Sequence, residues 1–150
     1  MRKFVRAVHL VDIYKPLKDR FLTFLVIALG FLAIGAGPSN FAGEYADKKF
    51  LNGQGVFQLS LEQNGSNVSV FFSAGYNDGH GAAPDADGTG NVTSKGIVEF
   101  TFEDSFKNAG TGTITRSADG VILSLKTTRV ADPRCLVFYK QNMRLPRVKK

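Results

Sequence analysis

From residue 41 onward the apolar positions recur every second residue, the period of a half-buried strand. In "GVFQLSLEQ" (55–63), Phe57, Leu59 and Leu61 share one face, and Gln58, Ser60 and Glu62 the other. Asn64-Gly65 follows, a strong hairpin signal because both residues accept positive φ. "SNVSVFFSAGY" returns with Val68, Val70, Phe72 and Ala74 on one side and Ser69, Phe71 and Ser73 on the other. Beyond a tight turn expected at Lys95-Gly96, Val98, Phe100 and Phe102 alternate with Glu99, Thr101 and Glu103. "GTGTITRS" and "VILSLKTT", joined by "ADG", form a further hairpin with Leu123 and Leu125 facing in. "ADPR" then turns into the last expected strand, "CLVFYKQ". With "FAGEY" as the first, this makes eight short strands at hairpin spacing and no helical period among them. The pattern predicts an all-β fold, an antiparallel up-and-down barrel of about eight strands, since closure removes the sheet edges.

One stretch breaks the alternation. "NDGHGAAPDADGTGN" (77–91) is polar, rich in glycine and without period, so it reads as a long connection at one end of the barrel. Loops on a rigid barrel concentrate recognition, which makes Tyr76, Asp78, His80, Asp85 and Asp87 the candidate ligand or partner residues. Metal chemistry fits poorly. Asp85, Asp87 and Gly90 match positions 1, 3 and 6 of a calcium loop, but Gly96 stands where the bidentate glutamate belongs. Zinc wants three or four protein ligands, and His80 is the only histidine after residue 37. The stretch is therefore expected to be mobile, exposed and metal-free. Asp104 and Asn108 fall in a second connection, at the same end or the opposite one.

The N-terminus has a different composition. "FLTFLVIALGFLAIGAG" (21–37) carries only Thr23 as a clearly polar side chain. As a helix it would measure about 25 Å, near the lower limit of a membrane span. Residues 1–20 ahead of it hold Arg2, Lys3, Arg6, Lys15, Lys18 and Arg20, a basic leader expected to stay cytoplasmic. Residues 21–37 thus predict one N-terminal hydrophobic helix, serving as a cleaved signal sequence or as an uncleaved anchor. Either way residues 38–150 are exported, to be periplasmic, secreted or held at the membrane with the barrel outside.

Charge and cysteine narrow the function classes. The chain has 19 basic and 13 acidic residues, but the first 37 hold six and two of them. Five of the remaining basic residues lie in the tail 140–150, expected to fray, so the body 38–139 has eight basic against eleven acidic residues. A basic pI therefore marks the two ends and argues against nucleic acid as a partner. Cys135 stands alone in the apolar run "CLVFY", where a free thiol behaves as a small hydrophobe. No serine sits in an elbow motif, no catalytic constellation is present, and no cofactor motif is found. The sequons at Asn64, Asn67 and Asn91 matter only where exported proteins are glycosylated.

The opening "FAGEY" followed by "GVFQLSLEQNGSNVSVFFSAG" resembles the start of calycin-type barrels, the lipocalin and avidin-like group. Gly43-Glu44-Tyr45 occupies the place of their Gly-x-Trp on the first strand, with Tyr45 where tryptophan would stand. The resemblance spans roughly residues 41–130 and implies a small closed barrel and a binding role; it supplies no ligand residues. The expected function is an exported, non-catalytic barrel that binds a small molecule or a protein. The alternative is a structural or interaction protein of the cell envelope, anchored through 21–37, with a solid barrel core.

Overall fold

A computed structural model describes residues 40–149. The expected helix over 21–37 and the basic leader lie outside the described residues. Among those described, no helix is long and apolar enough to cross a membrane. Eight strands run in chain order: β1 (Gly43–Phe50), β2 (Gly55–Asn64), β3 (Asn67–Tyr76), β4 (Asp85–Val92), β5 (Val98–Asp104), β6 (Ala109–Arg116), β7 (Gly120–Arg129) and β8 (Met143–Pro146). Each pairs antiparallel with its sequence neighbour, giving one sheet ordered β1 through β8. The sheet curls until its edges nearly meet: Tyr45 bridges Arg147, and the Val148 N–H donates to the Glu44 carbonyl at 2.8 Å. This is the expected up-and-down barrel, nearly closed.

The alternation seen in the sequence sets the facing. Phe57, Leu59, Leu61, Val68, Val70, Phe72, Val98, Phe100, Phe102, Leu123 and Leu125 all point into one buried core. Rings fill it in a chain of contacts: Phe50–Phe57 at 5.5 Å, Phe57–Phe72 at 5.6 Å and Phe72–Phe102 at 5.2 Å between centroids. Phe138, between Phe50 and Tyr76, extends the stack to one end of the barrel. Among the described residues no buried side-chain nitrogen or oxygen lacks a hydrogen-bond partner.

The structure corrects four expectations. First, "NDGHGAAPDADGTGN" is not one long exposed connection, because its second half is β4, paired with both β3 and β5. The inward positions of β4 are Ala86, Gly88, Gly90 and Val92, so half of the usual apolar signal is missing. The reason lies on the next strand. A β-carbon at Gly88 would meet Phe100 Cδ2 at 3.1 Å, and one at Gly90 would meet Phe100 Cβ at 2.5 Å. On the other side of β5, Gly110 and Gly112 face the Phe102 and Phe100 rings in the same way. Together with Thr101 O, 2.6 Å from the added β-carbon at Gly88, and Glu99 O, nearer still to that at Gly90, the β5 phenylalanines thus close off glycines on both neighbours. Ala86 and Ile114 are what β4 and β6 bury in the core. The remaining connection also departs from full exposure: Ala82 is buried, and the Pro84 carbonyl accepts from Ala74 N at 3.0 Å.

Second, "CLVFY" is no strand. Asp132 caps a 3-10 helix (Pro133–Phe138), its side chain accepting from Arg134 N, with Pro133 in the first turn. Cys135 and Phe138, three apart, share the buried face, as the three-residue period of this helix requires. Third, the basic tail is not frayed: Met143 and Leu145 point inward and Arg144 outward as β8. Its cationic composition masks a plain period of two. Fourth, the Asn64-Gly65 hairpin lies one residue later. Asn64 still pairs with Asn67, and Gly65 (φ 62°) with Ser66 makes the turn.

Alternate hairpin connections gather at each end. At one end stand residues 51–54, the 77–84 loop, 105–108 and the 3-10 helix; Asn77 Nδ2 donates to Gly53 O at 2.8 Å, and Ser105 N to Asp85 O at 2.8 Å. The opposite end holds the turns at 65–66, 93–97 and 117–119, together with both termini of the barrel.

Candidate functional site

The five residues singled out from the sequence do not converge. Tyr76 ends β3 and turns inward, its ring 5.4 Å from that of Phe138, so it serves packing. Asp78 and His80 pair with each other in the loop, Nδ1 to Oδ2 at 3.7 Å, with side chains 69% and 87% exposed. Asp78 Oδ1 also accepts from the His80 backbone N–H at 3.0 Å, a local turn contact. Asp85 opens β4, and its backbone, not its carboxylate, is what the structure holds: its N–H donates to Ser105 Oγ at 3.3 Å. Asp87 points outward in mid-strand, between Phe71 on β3 and Glu103 on β5. Among the described residues no three histidine, cysteine, aspartate or glutamate side chains come together as a metal site.

Asp87 does line a groove, formed by the outer wall of the barrel. Small and hydroxylated side chains on β2 to β5 leave an open groove of about 660 Å³ lined by Ser60, Glu62, Phe71, Asp87, Thr89 and Glu103. A smaller depression of about 260 Å³ continues it across β1 and β2, bordered by Glu44, Gln58 and Val148. Phe71 lies on the boundary of both and is 43% exposed, an aromatic ring standing free on an otherwise polar face. The groove is acidic, and neither lysine nor arginine lines it. Glu103 sits at its edge, accepting from Arg129 Nη2 at 2.7 Å and Lys107 Nζ at 3.3 Å. These bonds, Arg129 first, hold the Glu103 carboxyl below the usual carboxylate range. Ser60 donates its hydroxyl to Glu44 at 2.7 Å. Such a surface offers a ring, carboxylates and hydroxyls for recognition.

A second polar cluster is buried. Asp104 is 3% exposed and Asn108 fully covered. Asp104 Oδ1 accepts from the N–H groups of Phe106 (2.9 Å) and Asn108 (2.8 Å), while Oδ2 accepts from Asn108 Nδ2 (2.7 Å) and the Tyr139 hydroxyl. Asn108 Oδ1 in turn accepts from Ala131 N and Asp132 N, both at 2.8 Å. The cluster latches the β5–β6 turn to the segment that carries the 3-10 helix. Burial and the neighbouring Asp104 push the Tyr139 hydroxyl far above its ordinary value, and burial raises the Cys135 thiol. The connection bearing Asp104 and Asn108 shares the end of the 77–84 loop, one of the two ends the meander allowed.

The groove went unread because no signal marks it in the chain. The alternation in "SVFFSA" sets Phe71 on the face of Ser69 and Ser73, opposite Phe72, and β3 bears this out; the chain does not mark the groove that the neighbouring strands form around that ring. Fold and surface together define a class: an all-β, up-and-down, nearly closed barrel with an aromatic interior and a free ring on its outer wall. No family model, curated protein or solved structure matches the chain.

Proposed function

We propose that the chain is an exported, non-catalytic binding module whose partner, a protein, docks on the outer wall around Phe71. The observation that carries this reading is a large apolar ring, 43% exposed, on the boundary of two open depressions bordered by carboxylates and hydroxyls. Exposed rings of this kind anchor protein interfaces, where a few aromatic residues supply most of the binding energy. The ring stack through the interior leaves the small-ligand carrier with less support, because a carrier needs an enclosed cavity of about 300 Å³ or more. The apolar run 21–37 favours export, and with it the second reading, in which the same module is held on the membrane.

A photoreactive phenylalanine analogue at position 71, introduced in cells that make the protein, tests the proposal. A discrete crosslinked product is expected from position 71 and not from Thr113, which faces outward on β6 away from the groove. Asp87→Lys should reduce that product without lowering the melting temperature. Equal products from both positions, or none from position 71, would overturn it.

A further inference from the structure

We infer that the barrel end where the chain comes in and leaves is a seat for the phosphate groups of anionic membrane lipids, built around Arg116, Arg147 and Lys149. These residues line a cleft of about 930 Å³ beside the seam between β1 and β8. Two of the three are held in place by rings. The Arg116 guanidinium lies 5.1 Å from the centre of the Phe41 ring, and that of Arg147 lies 5.6 Å from Tyr45. Arg147 Nη2 also donates to the Ala42 carbonyl at 2.5 Å, crossing β1 where Gly43 (φ 147°) leaves room for it. A ring or a carbonyl orients a guanidinium but does not neutralise it.

The two ends differ in how their arginines are paired, whereas Lys140, 5.4 Å from the centre of the Phe50 ring at the loop end, is like the seam cations in having no described carboxylate in salt-bridge reach. At the loop end, Arg129 and Lys107 are paired with Glu103, and Arg134 with Asp132. At the seam end, no described carboxylate lies in salt-bridge reach of Arg116, Arg147 or Lys149. Glu44 and Asp119 border the cleft, but each accepts from a serine instead, Glu44 from Ser60 at 2.7 Å and Asp119 from Ser117 at 3.2 Å. Val148, between Arg147 and Lys149, is 44% exposed. An apolar side chain flanked by cations with no described carboxylate partner suits the boundary of a lipid surface, where the hydrocarbon enters and the charges meet headgroups.

The chain itself argues for lipid over free phosphate. The apolar run ends at residue 37, and Phe41, covered by Arg116, is already packed at this end. Only residues 38–40 separate the apolar run from Phe41, so an anchor there would tether this end of the barrel by a short stretch of chain. The inference rests on the reading in which 21–37 stays as an anchor.

Residues 38–150 form a compact unit that holds every described strand and core residue, so the barrel can be tested apart from the run. Its co-sedimentation with phosphatidylcholine vesicles is expected only when phosphatidylglycerol is included. Each basic residue near an anionic surface contributes about fivefold to binding, so Arg116→Ser with Lys149→Ser should weaken it about 25-fold. Lys149→Ser alone, which touches no core contact, should cost about fivefold. The control pair Lys48→Ser with Lys49→Ser, toward the loop end of β1, should change binding by less than twofold. Equal binding to neutral vesicles, or equal losses from both pairs, would overturn the proposal. Displacement by millimolar inorganic phosphate would assign the cleft to free phosphate and overturn the lipid seat. Retention of the full chain in membranes after alkaline extraction reports separately on the anchor.

Discussion

Gly112→Ala tests the interlock between the phenylalanines of β5 and the glycines beside them. A β-carbon at 112 would lie 3.0 Å from Phe100 Cε2 and nearer still to Cε1 and Cζ. Carbon atoms rest at about 3.5–4.0 Å, so the ring must retreat or the strands must part. On the β4 side a β-carbon at Gly88 would lie 3.1 Å from Phe100 Cδ2, so the ring has little room to retreat. Overpacking of this kind costs about 1–3 kcal/mol, offset by about 0.4–1 kcal/mol from the stiffer unfolded chain, so a net loss of about 1–2 kcal/mol is expected. Phe100→Ala alone should cost about 3–5 kcal/mol through the cavity it opens. In the double variant the alanine methyl occupies part of that cavity and meets no ring. The two losses should therefore fall short of additivity by at least about 1 kcal/mol. Urea denaturation of the four proteins in the cycle measures this coupling. Additivity within about 0.5 kcal/mol, the behaviour of independent sites, would refute the interlock, as would a stabilising Gly112→Ala.

Two further outcomes follow from the buried latch. Asp104→Ala leaves the Phe106 and Asn108 N–H groups, Asn108 Nδ2 and the Tyr139 hydroxyl without their acceptor, and at about 1–3 kcal/mol per buried stranded group it should cost at least about 3 kcal/mol in chemical denaturation; a loss below about 1 kcal/mol would show that the latch holds nothing. Cys135 and Tyr139 both have folded values raised above the unfolded ones, so their neutral forms favour the folded state. Their contribution is complete below the unfolded thiol value of about 8.5 and declines as pH rises through it, then further above about 10 as the phenol ionises in the unfolded chain. Cys135→Ala should remove the first decline and leave the second, and a stability curve flat between pH 8 and 11 would contradict both shifts.

Most of the barrel is legible in the chain because most strands bury one face in the ordinary way. Phe57-x-Leu59-x-Leu61 and Val98-x-Phe100-x-Phe102 announce strand, facing and core together. β4 is silent for a reason visible only in three dimensions: two of its four inward positions are glycines, closed off by the β5 backbone and by Phe100. A polar, glycine-rich strand and a polar, glycine-rich loop are the same text until the neighbour is known. The opposite error arises at "CLVFY", where strand-forming residues follow Asp132-Pro133, and a cap of six residues forms in place of a strand. The candidate groove is less legible still. Asp87 reads as a loop residue in the chain and lines the groove through its place on a strand. The facing of Phe71, opposite Phe72, is legible from the alternation, but the groove around it depends on which strands lie beside β3, and that is not written in the chain.

The seam between Tyr45 and Arg147 has a kinetic consequence. The seven strand pairings from β1 to β8 each join neighbours along the chain, so each closes after a short loop search. Joining the first strand to the last instead brings together residues 45 and 147, with the whole meander between them. Loop closure costs grow with that separation, so this contact should form after the hairpins and break before them. Until it forms, β1 and the end of β8 are both open edges, free to pair with the matching edge of another molecule. Closing the barrel and keeping its copies apart are thus one event. It depends on a bridge, the Val148 hydrogen bond and the Arg147 side chain laid across Gly43.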